Sequence, residues 1–420
     1  MDEQEQLAWL QLALMPHIGA DSFHNLLQRF GTAQNAWQQP ASALKDCLTR
    51  KAALEAWQSR RDEAVQAAEA AMRWQEQDGC RVLLSCDADY PALLSEGITP
   101  PPVLFVRGRV ELLQQTSVAI VGSRHATPQA MRIAADFGQQ LSQCGLTVVS
   151  GMAVGIDTAA HQGALKASGS TVAVWGTGID RIYPASNQKL AYEIAEKGVI
   201  VSEFPLGTRP LAGNFPRRNR LIAALSHATL VVEAALESGS LITARLAAEM
   251  GREVFAIPGS IDNPHSKGCH KLIKDGAKLT ENIEDIVQEC PQLLQKSAHS
   301  AYAINKEAAA NASDSSVKNH KNNPKTLENT EQTNYLPPTM PSADGNRQTS
   351  SSSVSSSETA NEATNDLSNL ILHTMAYDPI HPDSLAETLA QPTADIYAAL
   401  MELELDGKVA AMSGGRYQRV

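Results

Sequence analysis

The sequence lacks most of the features that would settle its class by themselves. Its 420 residues contain no run of about 18 apolar residues, so no membrane span is expected. The opening MDEQEQLAWL is acidic and polar, whereas a secretory signal starts basic and continues apolar, so a cytoplasmic location is expected. The six cysteines (Cys47, Cys80, Cys86, Cys144, Cys269 and Cys290) are scattered and form no C-x-x-C pair. That argues against a disulfide framework or a zinc site and for reduced thiols. Nucleotide signatures are missing as well. GSRHAT has no second or third glycine at the G-x-G-x-x-G spacing, GTGIDR has Arg181 at the third, and no Walker loop is present. NAD and nucleoside triphosphates are therefore poorly supported, and no cofactor or metal is expected.

What the chain has is charge sorted by segment. The formal net charge is -11. Residues 116–280 hold 16 Lys+Arg against 12 Asp+Glu, a net of +4, while 1–115, 281–365 and 366–420 each come to -5. An acidic total does not exclude a nucleic-acid partner when the basic groups are gathered in one segment.

The pattern divides the chain into five parts. Residues 1–75 read as short helices, and MPHIGADSFHNLLQRFG places a glycine turn between two of them, as in a helix-hairpin-helix or SAM-type unit. Residues 76–115 read as a connecting extension. Residues 116–290 alternate strand and helix. SVAIV, LTVVS, STVAVW, VIVSEF, ATLVVEAA and EVFAIPG are apolar strand runs, each followed by helical spacing or a turn. Such alternation predicts an α/β, Rossmann-like, doubly wound parallel sheet. Residues 291–365 are Ser-rich and polar, and read as a disordered linker with a root-mean-square span of roughly 45–50 Å. Residues 366–420 read as three helices and a hairpin, the order of a winged helix. Its would-be recognition helix carries Asp395, Glu402, Glu404 and Asp406 with no Lys or Arg, which favours a protein-interaction or regulatory role over tight DNA binding.

Ligands of open parallel sheets bind beyond the carboxyl ends of the strands. There the sequence sets Gly122, Ser123 and Arg124 after the first strand, Gly151 after the second, and Ser238, Gly239 and Ser240 at a later helix start. Glycines there admit a close backbone approach, and free N–H groups at helix starts attract anions. A phosphate-bearing ligand is the expectation. GNFPRRNRLIAALS adds Phe215 just before a helix pattern and Arg217, Arg218 and Arg220 at its start. Cations oppose the helix dipole there unless an anion joins them. Arginines on phosphates with one aromatic under a base would make a single-strand platform.

The segments VAIVGSRHAT, VVSGMAVGIDTAAH, VWGTGIDRIYPASN, SEFPLGTRPLAGNFPRRNRLIAALSHATLVVEAALESGSLITARLA and VFAIPGS closely resemble the DNA-processing DprA/Smf family, from about Tyr90 to Ile286. The resemblance implies a non-enzymatic homodimer that binds and protects single-stranded DNA and loads the RecA recombinase during natural transformation. It also implies a phosphate pocket at Gly122, Ser123 and Arg124, a strand-contacting loop at Phe215, Arg217, Arg218 and Arg220, and a crevice lined by Gly239 and Ser240. The chain departs from the family pattern at Ala130 and at Gly268-Cys269-His270.

Two enzymatic readings compete. One is a nucleotide-cleaving phosphoribohydrolase of the LOG type with Glu233 as acid or base. The Glu233, Gly239, Ser240 and Thr243 region is similar to that class only in part, and its P-G-G is absent. The other is a metal-dependent nuclease using Asp157 and Asp180, whose G-I-D settings also suit turn formation.

Overall fold

The six strands expected between residues 116 and 290 all form in the computed structural model, which describes residues 1–291, 293, 358–375, 380–412 and 416–419. They are β3 (Ser117–Val121), β4 (Thr147–Ser150), β5 (Thr171–Val174), β6 (Val199–Ser202), β7 (Ala228–Val231) and β8 (Glu253–Ala256). Apart from Glu253 every residue in them is buried, as strands covered on both faces require. β3 pairs in parallel with β4 on one side and β7 on the other. A two-residue β9 (Lys278–Leu279) closes that edge, and with β1 (Cys80–Leu84) and β2 (Val103–Gly108) the sheet has nine strands in the order β1-β2-β6-β5-β4-β3-β7-β8-β9.

Residues 76–115 are not a mere connection. They supply β1 (Cys80–Leu84) and β2 (Val103–Gly108), which run antiparallel at the β6 edge with Val106 opposite Val201. The apolar runs VLL and VLFV are buried there, and a reversal through helix α6 (Ala92–Gly97) makes the pairing antiparallel.

Alternate residues of each strand feed opposite faces. Val118, Ile120 and Val148 pack under α7 (Pro128–Gln143), α8 (Ile156–Ala164) and α13 (Ile283–Glu289). Ala119, Val121 and Val149 pack under α10 (Asn214–Ala224), α11 (Gly239–Glu249) and α12 (Lys267–Lys274). α7 starts where its sequence says it should. Thr127 accepts from Ala130 N at 3.2 Å, and Pro128 occupies the first turn. α9 (Gln188–Lys197) follows β5 as expected.

The N-terminal residues form α1 (Glu3–Ala13), α2 (Ala20–Phe30), α3 (Ala33–Trp37), α4 (Lys51–Ser59) and α5 (Arg61–Gln75). Their core is continuous with one flank of the sheet. Trp74 meets Phe105 of β2 edge-on with ring centroids 5.6 Å apart, and Trp9 Nε1 donates to Pro102 O at 2.9 Å.

The C-terminal segment has its own core of Ile371, Leu385, Ile396, Leu400 and Leu403. Helices Glu358–Met375, Pro382–Leu389 and Thr393–Leu405 precede an antiparallel pair, Val409–Met412 with Arg416–Arg419. Most of the stretch expected as a linker lies outside the described residues. Its expected end at 365 falls inside the first of these helices.

Candidate functional site

The sheet order turns about β3, so a crevice opens beyond the carboxyl ends of β3 and β7. A cleft of about 430 Å³ occupies it. Its walls are Gly122, Ser123, Arg124 and His125 after β3, Arg218 and Asn219 of α10, and Ser238, Gly239 and Ser240 at the start of α11. Ser238 caps α11, accepting from Ser240 N at 3.3 Å, and Asn219 Nδ2 donates to Gly239 O at 3.3 Å. The cleft therefore ends on the positive pole of a helix.

Arg218 is buried in this wall, only 3% exposed. Its Nη1 donates to Val174 O at 3.2 Å, while Nε is buried with no hydrogen-bond partner among the described residues. Burial lowers the guanidinium to about 10, against the attraction of Asp157, so it stays charged at neutral pH. Gly151 is what makes room for it: a Cβ there would fall 1.4 Å from Nη1. Gly151 thus seats an arginine, whereas the sequence reading gave it a direct part in ligand approach. Gly122 has a similar packing reason, since its Cβ would lie 2.6 Å from Ile156 Cγ1.

Arg124 joins Arg218 from the opposite side. Its guanidinium stands 5.3 Å from the Phe215 ring centroid, a cation–π distance. Tyr183, 46% exposed, tilts against the same ring at 5.6 Å. Arg124, Trp175, Tyr183, Phe215 and Arg218 line an annex of about 60 Å³ beside the cleft. Phe215 sits inside the first turn of α10 rather than before it, because the helix begins at Asn214.

The arginine cluster does not act as one surface. Residues 215 and 218 share one side of α10, and 217 and 220 the other, as three-residue spacing dictates. Arg217 stands over Phe204 at 5.1 Å, and Arg220 pairs with Glu203, whose side chain is 7% exposed. Neither lines the cleft.

The three acidic candidates are each held by hydrogen bonds. Glu233 Oε2 accepts from Thr127 Oγ1 at 2.9 Å and Oε1 from Thr127 N at 3.2 Å. Asp157 Oδ2 accepts from Gly151 N and Ala153 N, at 3.1 and 3.2 Å. Burial raises both carboxyls, with those N–H and O–H donors opposing it. Asp180 is tied to Gly207 N at 2.8 Å. Among the described residues no group of His, Cys, Asp and Glu is placed to hold a metal.

A family model described as DNA recombination-mediator protein A matches residues 81–291, a DprA-like N-terminal HHH domain matches 3–56, and a DprA winged helix domain matches 355–415. The Smf protein of Synechocystis is 34% identical over 435 residues, covering 100% of both chains. The chain belongs to the DprA/Smf family. DprA of Streptococcus pneumoniae is 46% identical over 203 residues, 48% of this chain and 72% of that one. Its X-ray structure superposes with a TM-score of 0.58 at 36% identity, covering 66% of this chain and 95% of that one.

Within the DprA/Smf frame the departure at residues 268–270 is structural. Gly268 N donates to Ala234 O at 2.7 Å and Cys269 is fully buried. Sequence reasoning missed Asn219, Tyr183, Trp175 and His265 at the site. Asn219 stood between two noted arginines, and Tyr183 lies in the quoted IDRIYPASN. His265 gave no local signal, because only the fold brings it to the cleft.

Proposed function

We propose that the cleft binds single-stranded DNA, without catalysis, and that the protein is a cytoplasmic recombination mediator. In that role it protects incoming strands and hands them to RecA during natural transformation. One observation carries the reading: Arg124 and the buried Arg218 flank an aromatic pair, half-buried Phe215 and exposed Tyr183, at the sheet's switch point. Two guanidinium groups suit consecutive phosphates, and Phe215 with Tyr183 suits stacking on any base. Gly122, Ser123, Gly239 and Ser240 supply backbone and hydroxyl donors around them. Membership of the family supports the RecA partner and the homodimer. Among the described residues no helix is long and apolar enough to cross a membrane. The hydrolase reading is weaker, because both Glu233 oxygens accept from Thr127 and Glu233 does not line the cleft.

The test is a titration of labelled single-stranded and duplex oligonucleotides at two salt concentrations. Arg124→Ala is expected to weaken single-strand binding about ten-fold and to flatten the salt slope by about 0.7. Phe215→Ala is expected to cost about 1–3 kcal/mol with little change in slope. Equal affinity for duplex, or binding indifferent to both substitutions, overturns the cleft. RecA filament nucleation on coated strands and sedimentation of the free protein test the partner and the dimer.

A further inference from the structure

We propose that the groove between the N-terminal helices and α10 is a second contact site for the same strand, holding a nucleotide that has passed over the first turn of α10. The proposal rests on the single-strand reading of the cleft. The groove measures about 300 Å³ and is walled by the Met15–Ala20 turn on one side and by Arg217, Arg220, Glu203 and Phe204 on the other. It lies across α10 from the cleft, a helix about 10 Å thick.

Three features call for a nucleotide there. Arg217 is exposed and steadied over the Phe204 ring, so its guanidinium is held out toward the groove. Facing it, the 11-residue α2 has Gly19 as its N-cap with no side-chain cap, leaving the N–H groups of its first turn for an acceptor. Between them the Glu203 side chain is only 7% exposed. One oxygen holds Arg220, and Oε1 has no hydrogen-bond partner among the described residues. A nucleotide offers what each side lacks, a phosphate for Arg217 and the α2 start and an N–H edge for Glu203. An isolated anion would answer only the first. The sequence reading joined Arg217 and Arg220 to Arg218 in a single loop. The helix phase separates them and turns their pair toward the glycine turn of the N-terminal unit.

The experiment compares a mixed-sequence oligonucleotide of about four nucleotides with one of about sixteen, the range of common single-strand sites. Each is titrated against the full-length protein and three variants. Arg217→Ala removes the exposed cation. Gly19→Asp adds a carboxylate in open space, since no atom lies within 4 Å of a Cβ there, and aspartate is a preferred N-cap, so the fold is kept while phosphate is repelled. Arg124→Ala reports on the cleft. The expected result is that Arg217→Ala and Gly19→Asp each weaken the longer strand about five-fold and leave the shorter unchanged, while Arg124→Ala weakens both. If Arg124→Ala weakens both but the other two leave the longer strand unaffected, the groove is overturned and the cleft stands. Equal loss for both lengths in Arg217→Ala also overturns a separate groove. An acidic peptide competing at the groove while the longer strand ignores both substitutions would assign it to a protein. No effect of Arg124→Ala on either length overturns the cleft and, with it, the strand path.

Discussion

Replacing Gly151 by alanine tests how the buried arginine is held. The added Cβ would lie 1.4 Å from Arg218 Nη1, 2.4 Å from Cζ and 2.8 Å from Asp157 Oδ2. No rotamer shift of a few tenths of an ångström relieves the first contact, so the guanidinium must leave. It then gives up the Val174 carbonyl and the attraction of Asp157. Overpacking costs about 1–3 kcal/mol, and displacing a buried charge from its partners adds to that. A loss of about 3 kcal/mol in unfolding free energy is expected, with single-strand affinity down at least ten-fold. The assay is denaturant unfolding of Gly151→Ala, Arg218→Ala and the double variant. Once residue 218 is short, the two closest contacts are gone, and the 2.8 Å approach to Asp157 Oδ2 remains. The double variant should therefore be more stable than additivity predicts by at least ~1 kcal/mol. Additive losses, or a Gly151→Ala protein as stable and as tight-binding as the parent, would refute the seating argument.

Arg220→Ala should act mainly on stability, by about 2 kcal/mol in thermal or denaturant unfolding, because it strands the buried Glu203 carboxylate. Glu233→Gln should lower stability by about 1 kcal/mol and leave single-strand affinity unchanged, whereas lost binding would return Glu233 to the site. Acid should destabilise the fold through His161. Thr171 Oγ1 donates to Val148 O, so His161 Nδ1 donates to Thr171 and Nε2 is left bare. Burial lowers this imidazole to about 3. The unfolded chain therefore takes up the proton first. The stabilisation is complete above about pH 6.5 and is lost as pH falls toward 3, amounting to about 4 kcal/mol. Unfolding midpoints flat from pH 7 to pH 4.5 would contradict this.

The parallel strands were legible because a strand buried on both faces is an uninterrupted apolar run, and SVAIV or TLVV fits nothing else between two helical patterns. β1 and β2 were not, since an antiparallel edge pair carries no helix of crossover length to announce it. At the site, the residue types were readable and their directions were not. Arg217 and Arg218 are neighbours in sequence, and only the phase of α10 sends one to the cleft and the other to Phe204. Gly151 looked like turn chemistry because its reason for being glycine is a side chain 67 positions later. The winged-helix order was visible in three helical patterns and a Gly-Gly hairpin, although the residues of that turn lie outside those described.

The shared core of the N-terminal helices and the sheet fixes an order of events during synthesis. Trp74 has no Phe105 to pack on until β2 has left the ribosome, and β2 has no inner neighbour until Val201 of β6 follows. At about 5–20 residues per second the sheet-facing side of the first helices waits on the order of ten seconds uncovered. The sheet-facing side of the N-terminal helices is thus covered only after β6 has been made. A nascent chain stalled before β6 would present that surface to chaperones.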